Sequence, residues 1–197
     1  LFALSSSQLV ADQYMQFFTL YDVYEKLIAA EGAQTSSPDS FYSMGQTILS
    51  DFAQIDTELV SHAEVFTELA DIAEIQQQFQ HLTPEQQQFL SGFWSSFSAG
   101  KQQAQQEQFV RMWRRMSKLY EGFHQQLEER GLTTMGQLYR GLAEGSADRA
   151  DFIGQYDKIV LVGFNALSTA EATVFKRWQS EGKALFYFDT DQYYLGD

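Results

Sequence analysis

Lys158-Ile159-Val160-Leu161-Val162-Gly163-Phe164 and Ala184-Leu185-Phe186-Tyr187-Phe188 are the two stretches on which the fold turns. Each is a short, unbroken apolar run rich in β-branched or aromatic residues, the pattern of a strand buried on both faces of a parallel sheet. Between them, Ser168-Thr169-Ala170-Glu171 has the Ser-x-x-Glu form of a capping box, Val174, Phe175 and Trp178 share one helical face, and Gly182 ends the pattern. Strand, helix and strand in this order predict a right-handed βαβ crossover with the strands parallel. One such unit cannot cover both faces of its own sheet. Further strands are therefore expected from outside this chain, or else an unusual packing of its helices.

Upstream of residue 157 the apolar period changes from that of a strand to that of a helix. Tyr14, Phe17, Tyr21, Tyr24 and Ile28 form one stripe; Phe41, Met44, Ile48, Phe52, Ile55 and Leu59 form a second, opened by Ser37-Pro38-Asp39 as N-cap, first-turn proline and first-turn acid. Val65, Leu69, Ile72, Ile75 and Phe79 suggest a third helix. Thr83-Pro84-Glu85-Gln86 starts a fourth as a capping box, with Phe89, Phe93 and Phe97 on one face. The longest pattern runs from Phe109 through Met112, Trp113, Met116, Leu119, Tyr120 and Phe123 to Leu127, and stops at Gly131. A short sixth helix is expected from about Thr133 to Ala143, closing at Gly145. The glutamine runs at 76–78, 86–88 and 102–108 lie on or between these helices and read as polar faces and a loop. The expected architecture is mostly α with a small parallel α/β portion: a helical subdomain of about six helices over 1–150 and a strand–helix–strand unit over 157–197.

Composition narrows the function. Of 197 residues, 44% are hydrophobic and 15% aromatic, too apolar for a disordered chain. No run approaches the ~18–20 consecutive apolar residues of a membrane helix, and no signal-peptide pattern is present. The expectation is a soluble, cytoplasmic chain without a membrane partner. The absence of cysteine excludes disulfides, thiolate metal sites and thiol catalysis. A net charge of −13 repels phosphate over distance, so any contact with nucleic acid must be local. The chain begins at Leu1 and stops at Asp197 just after an apolar run, so both ends are expected to be cuts within a larger protein.

Candidate sites follow from position. Ligands of open parallel sheets bind beyond the carboxyl ends of strands, where this chain has 163–168 and 189–194. Asp189 and Asp191 could hold Mg²⁺ through carboxylate oxygens, or merely solvate a turn. No Gly-x-Gly-x-x-Gly or Walker A loop occurs, so no phosphate loop is present. The histidines at 62, 81 and 124 lack zinc spacing and are expected at the surface or its boundary. Arg111, Arg114, Arg115 and Lys118 lie along one side of the longest helix, a nucleic-acid candidate with Trp94 and Trp113 as stacking residues in principle, or else a solvated face paired with nearby acids. Ser168 serves better as a helix cap than as a nucleophile, with no base near it in sequence.

The run from Leu161 to Glu171, followed by Phe186-Tyr187-Phe188-Asp189-Thr190-Asp191-Gln192-Tyr193-Tyr194, resembles a segment of large AddB/RexB-like proteins of Bacteroidetes. Those proteins carry an inactivated superfamily 1 helicase region and a C-terminal PD-(D/E)XK nuclease domain. Leu20 to Tyr24, Phe41 to Gly45, Leu49 to Asp56 and Phe93-Trp94 are similar to the helical region of the same family, so the likeness covers nearly the whole chain. The resemblance implies that residues 157–197 are part of a RecA-like 1A core of the P-loop NTPase fold and that the helices are a 1B-like subdomain. It implies too that Val162, Gly163, Phe164 and Asn165 occupy the place of the Walker B acids, leaving the metal-binding carboxylate missing. Asp189, Asp191 and Gln192 then look like the motif that senses the γ-phosphate.

The function expected is a non-catalytic, helicase-like segment of a DNA-repair helicase–nuclease, guiding DNA or docking a partner subunit. It would hold no cofactor itself, with Mg and ATP belonging to the parent complex, a hydrolase. Two alternatives stand beside it. One is an enzyme fragment that binds Mg-nucleotide through Asp189 and Asp191. The other is a helical protein–protein interaction module unrelated to DNA.

Overall fold

The computed structural model describes residues 9–66, 103–146, 153–164 and 166–188, with side chains of the longest helix described from Arg111 onward. It is mostly helical, with two small parallel two-stranded sheets. In chain order the described elements are β1 (Leu9–Val10), α1 (Gln13–Ala30), α2 (Pro38–Thr57), α3 (His62–Val65), α4 (Gln103–Glu129), β2 (Leu132–Thr133), α5 (Met135–Glu144), β3 (Ile159–Val162), α6 (Thr169–Ser180) and β4 (Ala184–Tyr187). Most of the expected third helix, and the fourth with its Thr83 capping box, lie outside the described residues. The chain divides into two compact units, one formed by residues 1–61 and 123–197, the other by residues 62–122.

In the first unit, helix ends are set by local chemistry. Asp12 caps α1 by accepting from Met15 N at 2.8 Å, and Ser37 caps α2 by accepting from Ser40 N, with Pro38 in the first turn. Thr134 caps α5, which ends in the left-handed Gly145 at φ +79°. Helix α2 ends less comfortably. Leu59 N donates to Asp56 O and Val60 N to Ile55 O, the two bonds of a Schellman motif, which puts Leu59 at φ +54° where glycine is usual. A left-handed residue with a Cβ costs roughly 1–2 kcal/mol.

The α1–α2 pair is an aromatic core. Tyr24 stacks on Phe41 with ring centroids 4.3 Å apart, and Phe17 and Tyr21 lie within 6.1 and 5.6 Å of the same ring. Burial, then the nearby Glu25, Tyr24 and Asp22, push the Tyr21 phenol above its ordinary range, and it donates to Ser36 O at 2.8 Å. Tyr14, expected on the buried stripe, is instead 72% exposed. Helix α5 crosses α2 at Gly136, where a Cβ would stand 2.9 Å from Asp56 Cβ and 3.3 Å from Ala53 O.

Strands β3 and β4 pair in parallel, with Ile159 opposite Ala184 and Val162 opposite Tyr187, and α6 connects them. The Ser168–Glu171 capping box is formed in both directions. Leu161 and Ala184 join Leu142 of α5 and Val174, Phe175 and Trp178 of α6 in one buried cluster. Through Leu142, α5 contributes to this cluster, and α1, α2, α5 and the end of α4 fall in the same compact unit as the strand–helix–strand segment. The expectation of strands buried on both faces is corrected. Val160 and Val162 are 55% and 65% exposed, and their cross-strand partners Leu185 and Tyr187 are exposed too. The pleat sends alternate residues to opposite faces, and α5 and α6 cover only one of them.

The second sheet was not expected. Leu9 and Val10 pair in parallel with Leu132 and Thr133, extended by a bond from Ala11 N to Thr133 O at 2.9 Å. In the second unit, His62 stacks on Tyr120 with centroids 4.5 Å apart and lies 3.1 Å from Glu121, while Phe66 meets Trp113 edge to face.

Two substitutions probe this packing in opposite directions. Gly136→Ala should lower unfolding free energy by about 1–3 kcal/mol through overpacking against Asp56, and Leu59→Gly should raise it by up to about 1 kcal/mol by relieving the left-handed residue. Urea denaturation of each variant against the parent chain measures both; a neutral Gly136→Ala would mean that α5 does not touch α2 there.

Candidate functional site

The end of β3 is where a nucleotide-dependent sheet would place its metal-binding acid. Val162 closes the strand with its side chain on the open face, and Gly163 follows at φ +74°, its N–H donating to Tyr187 O at 3.1 Å. That left-handed turn suits glycine and carries no side chain toward the strand end. Phe164 turns back onto Phe175, ring centroids 5.6 Å apart. Asn165, Asp189, Asp191 and Gln192 lie outside the described residues, so the second half of this candidate is not positioned. Among the described residues no group of three or more acids or histidines is arranged to hold a metal ion.

The basic row is on α4 in the second unit. Arg111, Arg114 and Lys118 are exposed or half-buried along the helix, as is Arg115. Positions i, i+3 and i+7 fall on one side of a helix, so three cations share a face. Trp113 is half-buried, with its ring meeting Phe66 edge to face. Trp94 lies outside the described residues.

A third arrangement is not visible in the sequence. Asp56, on α2, is 1% exposed. Its Oδ1 accepts from Gln137 Nε2 at 2.8 Å and lies 3.4 Å from Arg140 Nε, while its Oδ2 lies 3.5 Å from His124 Nε2. Arg140 donates further to Ile55 O at 2.8 Å, to Val60 O at 2.6 Å and to Glu144 at 3.1 Å. One guanidinium therefore neutralises a buried carboxylate and ties down the strained end of α2. His124, expected at the surface or its boundary, has a side chain only 16% exposed and packs against Phe52 and Phe123. One local signal existed. Asp56 continues the Ile48–Phe52 spacing of four residues, which places an acid on the buried face of α2.

Beside this network lies a half-open cavity of about 500 Å³ between the end of α4, β2 and α5, with His124, Glu128, Thr133 and Glu144 in its walls. That volume is in the range of small-ligand pockets.

No protein-family model matches the chain, and no curated protein and no solved structure is similar enough to it to count as a match. No helix among the described residues is long and apolar enough to cross a membrane.

Removing one member of a buried ion pair leaves the other uncompensated. Asp56→Ala should cost about 3 kcal/mol or more of stability, and Glu144→Ala, at the half-exposed end of the same chain of contacts, about 1 kcal/mol or less. Equal losses in chemical denaturation would show that Asp56 does not hold the network.

Proposed function

We propose that the chain is a non-catalytic, helicase-like segment of a larger cytoplasmic DNA-repair helicase–nuclease of the AddB/RexB-like kind, acting in double-strand-break processing and recombination. On this reading residues 157–197 belong to a RecA-like P-loop NTPase core and residues 1–150 to a 1B-like helical subdomain. The segment guides DNA or docks a partner subunit, and Mg and ATP belong to the parent complex.

The observation that carries this reading is the parallel β3–α6–β4 unit, whose first strand ends in Val162-Gly163-Phe164. Phosphoryl transfer needs a carboxylate there to hold Mg²⁺ and orient water. A glycine with a left-handed backbone followed by a ring packed on α6 offers neither. The open apolar face of the same strands supports it as well, since a parallel sheet is ordinarily covered on both sides. The role left to the segment is binding. The row of Arg111, Arg114 and Lys118 spans roughly 10 Å of helix axis, over which one B-form strand presents about three phosphates.

Fluorescence anisotropy with a labelled single-stranded oligonucleotide tests the proposal. Binding should weaken as salt rises. Arg114→Gln with Lys118→Gln should make the slope of log K against log salt shallower by about 1.4, about 0.7 for each phosphate that the variant leaves without its cation. Undetectable binding by the parent chain, or a slope unchanged in the double variant, would overturn the DNA role.

A further inference from the structure

We propose that the exposed aromatic patch formed by Tyr14, Met15 and Phe18 of α1 and Tyr42 of α2 docks a basic amphipathic helix of a partner protein. The patch lies in the first compact unit, and the inference does not depend on the basic row of the second.

Helices α1 and α2 bury one face against each other and leave large apolar side chains beside it. Tyr14, Met15, Phe18 and Tyr42 are 72%, 49%, 54% and 46% exposed. Single exposed apolar side chains are ordinary, but these four adjoin one another. Tyr14 and Phe18 stand four residues apart and Met15 and Phe18 three, so they meet on one side of α1. The buried Phe17 links this side to α2, its ring centroid 5.3 Å from that of Phe18 and 5.1 Å from that of Tyr42. Gly45 makes the approach possible, since a Cβ there would stand 3.0 Å from Phe17 Cε2. Tyrosine, phenylalanine and methionine are the side chains enriched at the centres of protein interfaces.

Charge selects the partner. Between Leu9 and Thr57 the sole cation is Lys26. Acids border the patch instead. Asp12 caps α1 just before Tyr14, Asp22 and Glu25 continue the Tyr14–Phe18 row over the next two turns, and Asp39 precedes Tyr42 by one turn. Arg130 pairs with Asp22 at 3.3 Å, yet these acids still outnumber Lys26 and Arg130 together. An acidic border repels a second copy of this chain, whose net charge is −13, and repels nucleic acid and anionic membranes in the same way. The sides of helices offer no free backbone groups, so the partner must satisfy its own, as a helix does. Its apolar face would meet Tyr14, Phe18 and Tyr42, and lysines or arginines one to two turns further along would meet Asp22 and Glu25.

The test is a ¹H–¹⁵N titration of the whole chain with a leucine–lysine peptide patterned as an amphipathic helix, beside a leucine–glutamate peptide of the same pattern. The lysine peptide should saturably shift the amides of Tyr14, Phe18 and Tyr42, and the glutamate peptide should not. Phe18→Ser should weaken binding about tenfold, as truncation of a central aromatic contact does. Tyr14→Ser, at a more exposed position, should weaken it too, and decides the matter if Phe18→Ser does not fold. Tyr156→Ser removes a half-exposed ring outside the patch and should leave the affinity unchanged. Glu25→Gln with Asp39→Asn should weaken binding about fivefold at low salt. No saturable shift with the lysine peptide, shifts centred elsewhere, equal binding by the two peptides, or no loss in the patch variants would overturn the proposal. So would a dimer of the parent chain in sedimentation equilibrium that Phe18→Ser dissociates, which would make a second copy the occupant.

Discussion

A carboxylate removed from water must find its compensation within the protein, and Asp56 finds it in side chains from helices that are distant in sequence. Gln137 and Arg140 come from α5, His124 from α4, and Asp56 itself from the last turn of α2. The need to satisfy that one group fixes where α5 lies on α2 and explains why position 136 is glycine, since any Cβ there would collide with Asp56. Once α5 is fixed, Leu142 is in place to pack against Trp178 and Leu161, and through them to seat the β3–α6–β4 unit. The electrostatic anchor and the apolar cluster therefore both draw on the same ten-residue helix.

Arg140 joins two costs that would otherwise be separate. The Schellman turn after α2 uses a leucine where glycine would be free of strain, and the buried carboxylate needs a counter-charge. By donating to Ile55 O and Val60 O, on either side of the left-handed Leu59, the guanidinium holds that turn while it faces Asp56. A lysine would not serve, because a single ammonium cannot reach several acceptors in the plane that a guanidinium fork does.

The features legible in the sequence are those whose causes lie within a few residues. The Ser168–Glu171 box, the Ser37-Pro38-Asp39 start and the Gly145 stop each satisfy backbone groups one turn away, and the structure places them as expected. Parallel pairing of β3 and β4 follows from their order around α6. The features hidden from sequence join distant segments. Two-residue strands at Leu9 and Leu132 carry too little pattern to be seen, and Asp56 meets partners 68, 81 and 84 residues away. The strand runs mislead for a different reason. A continuous apolar run records that both faces suit burial, and β3 indeed presents valine on its open side, but it does not say whether the covering layer lies within the same stretch of chain.

The same physics bears on whether Asp56 could be catalytic. A general base must exchange a proton with a substrate, so one oxygen has to be reachable and its protonation cannot dismantle the fold. Asp56 is almost wholly enclosed, one oxygen is held between an amide donor and a guanidinium, and the other faces an imidazole set among phenylalanine rings. Protonating it would loosen Arg140 and, with it, the turn at Leu59. Asp56 is thus a structural anchor.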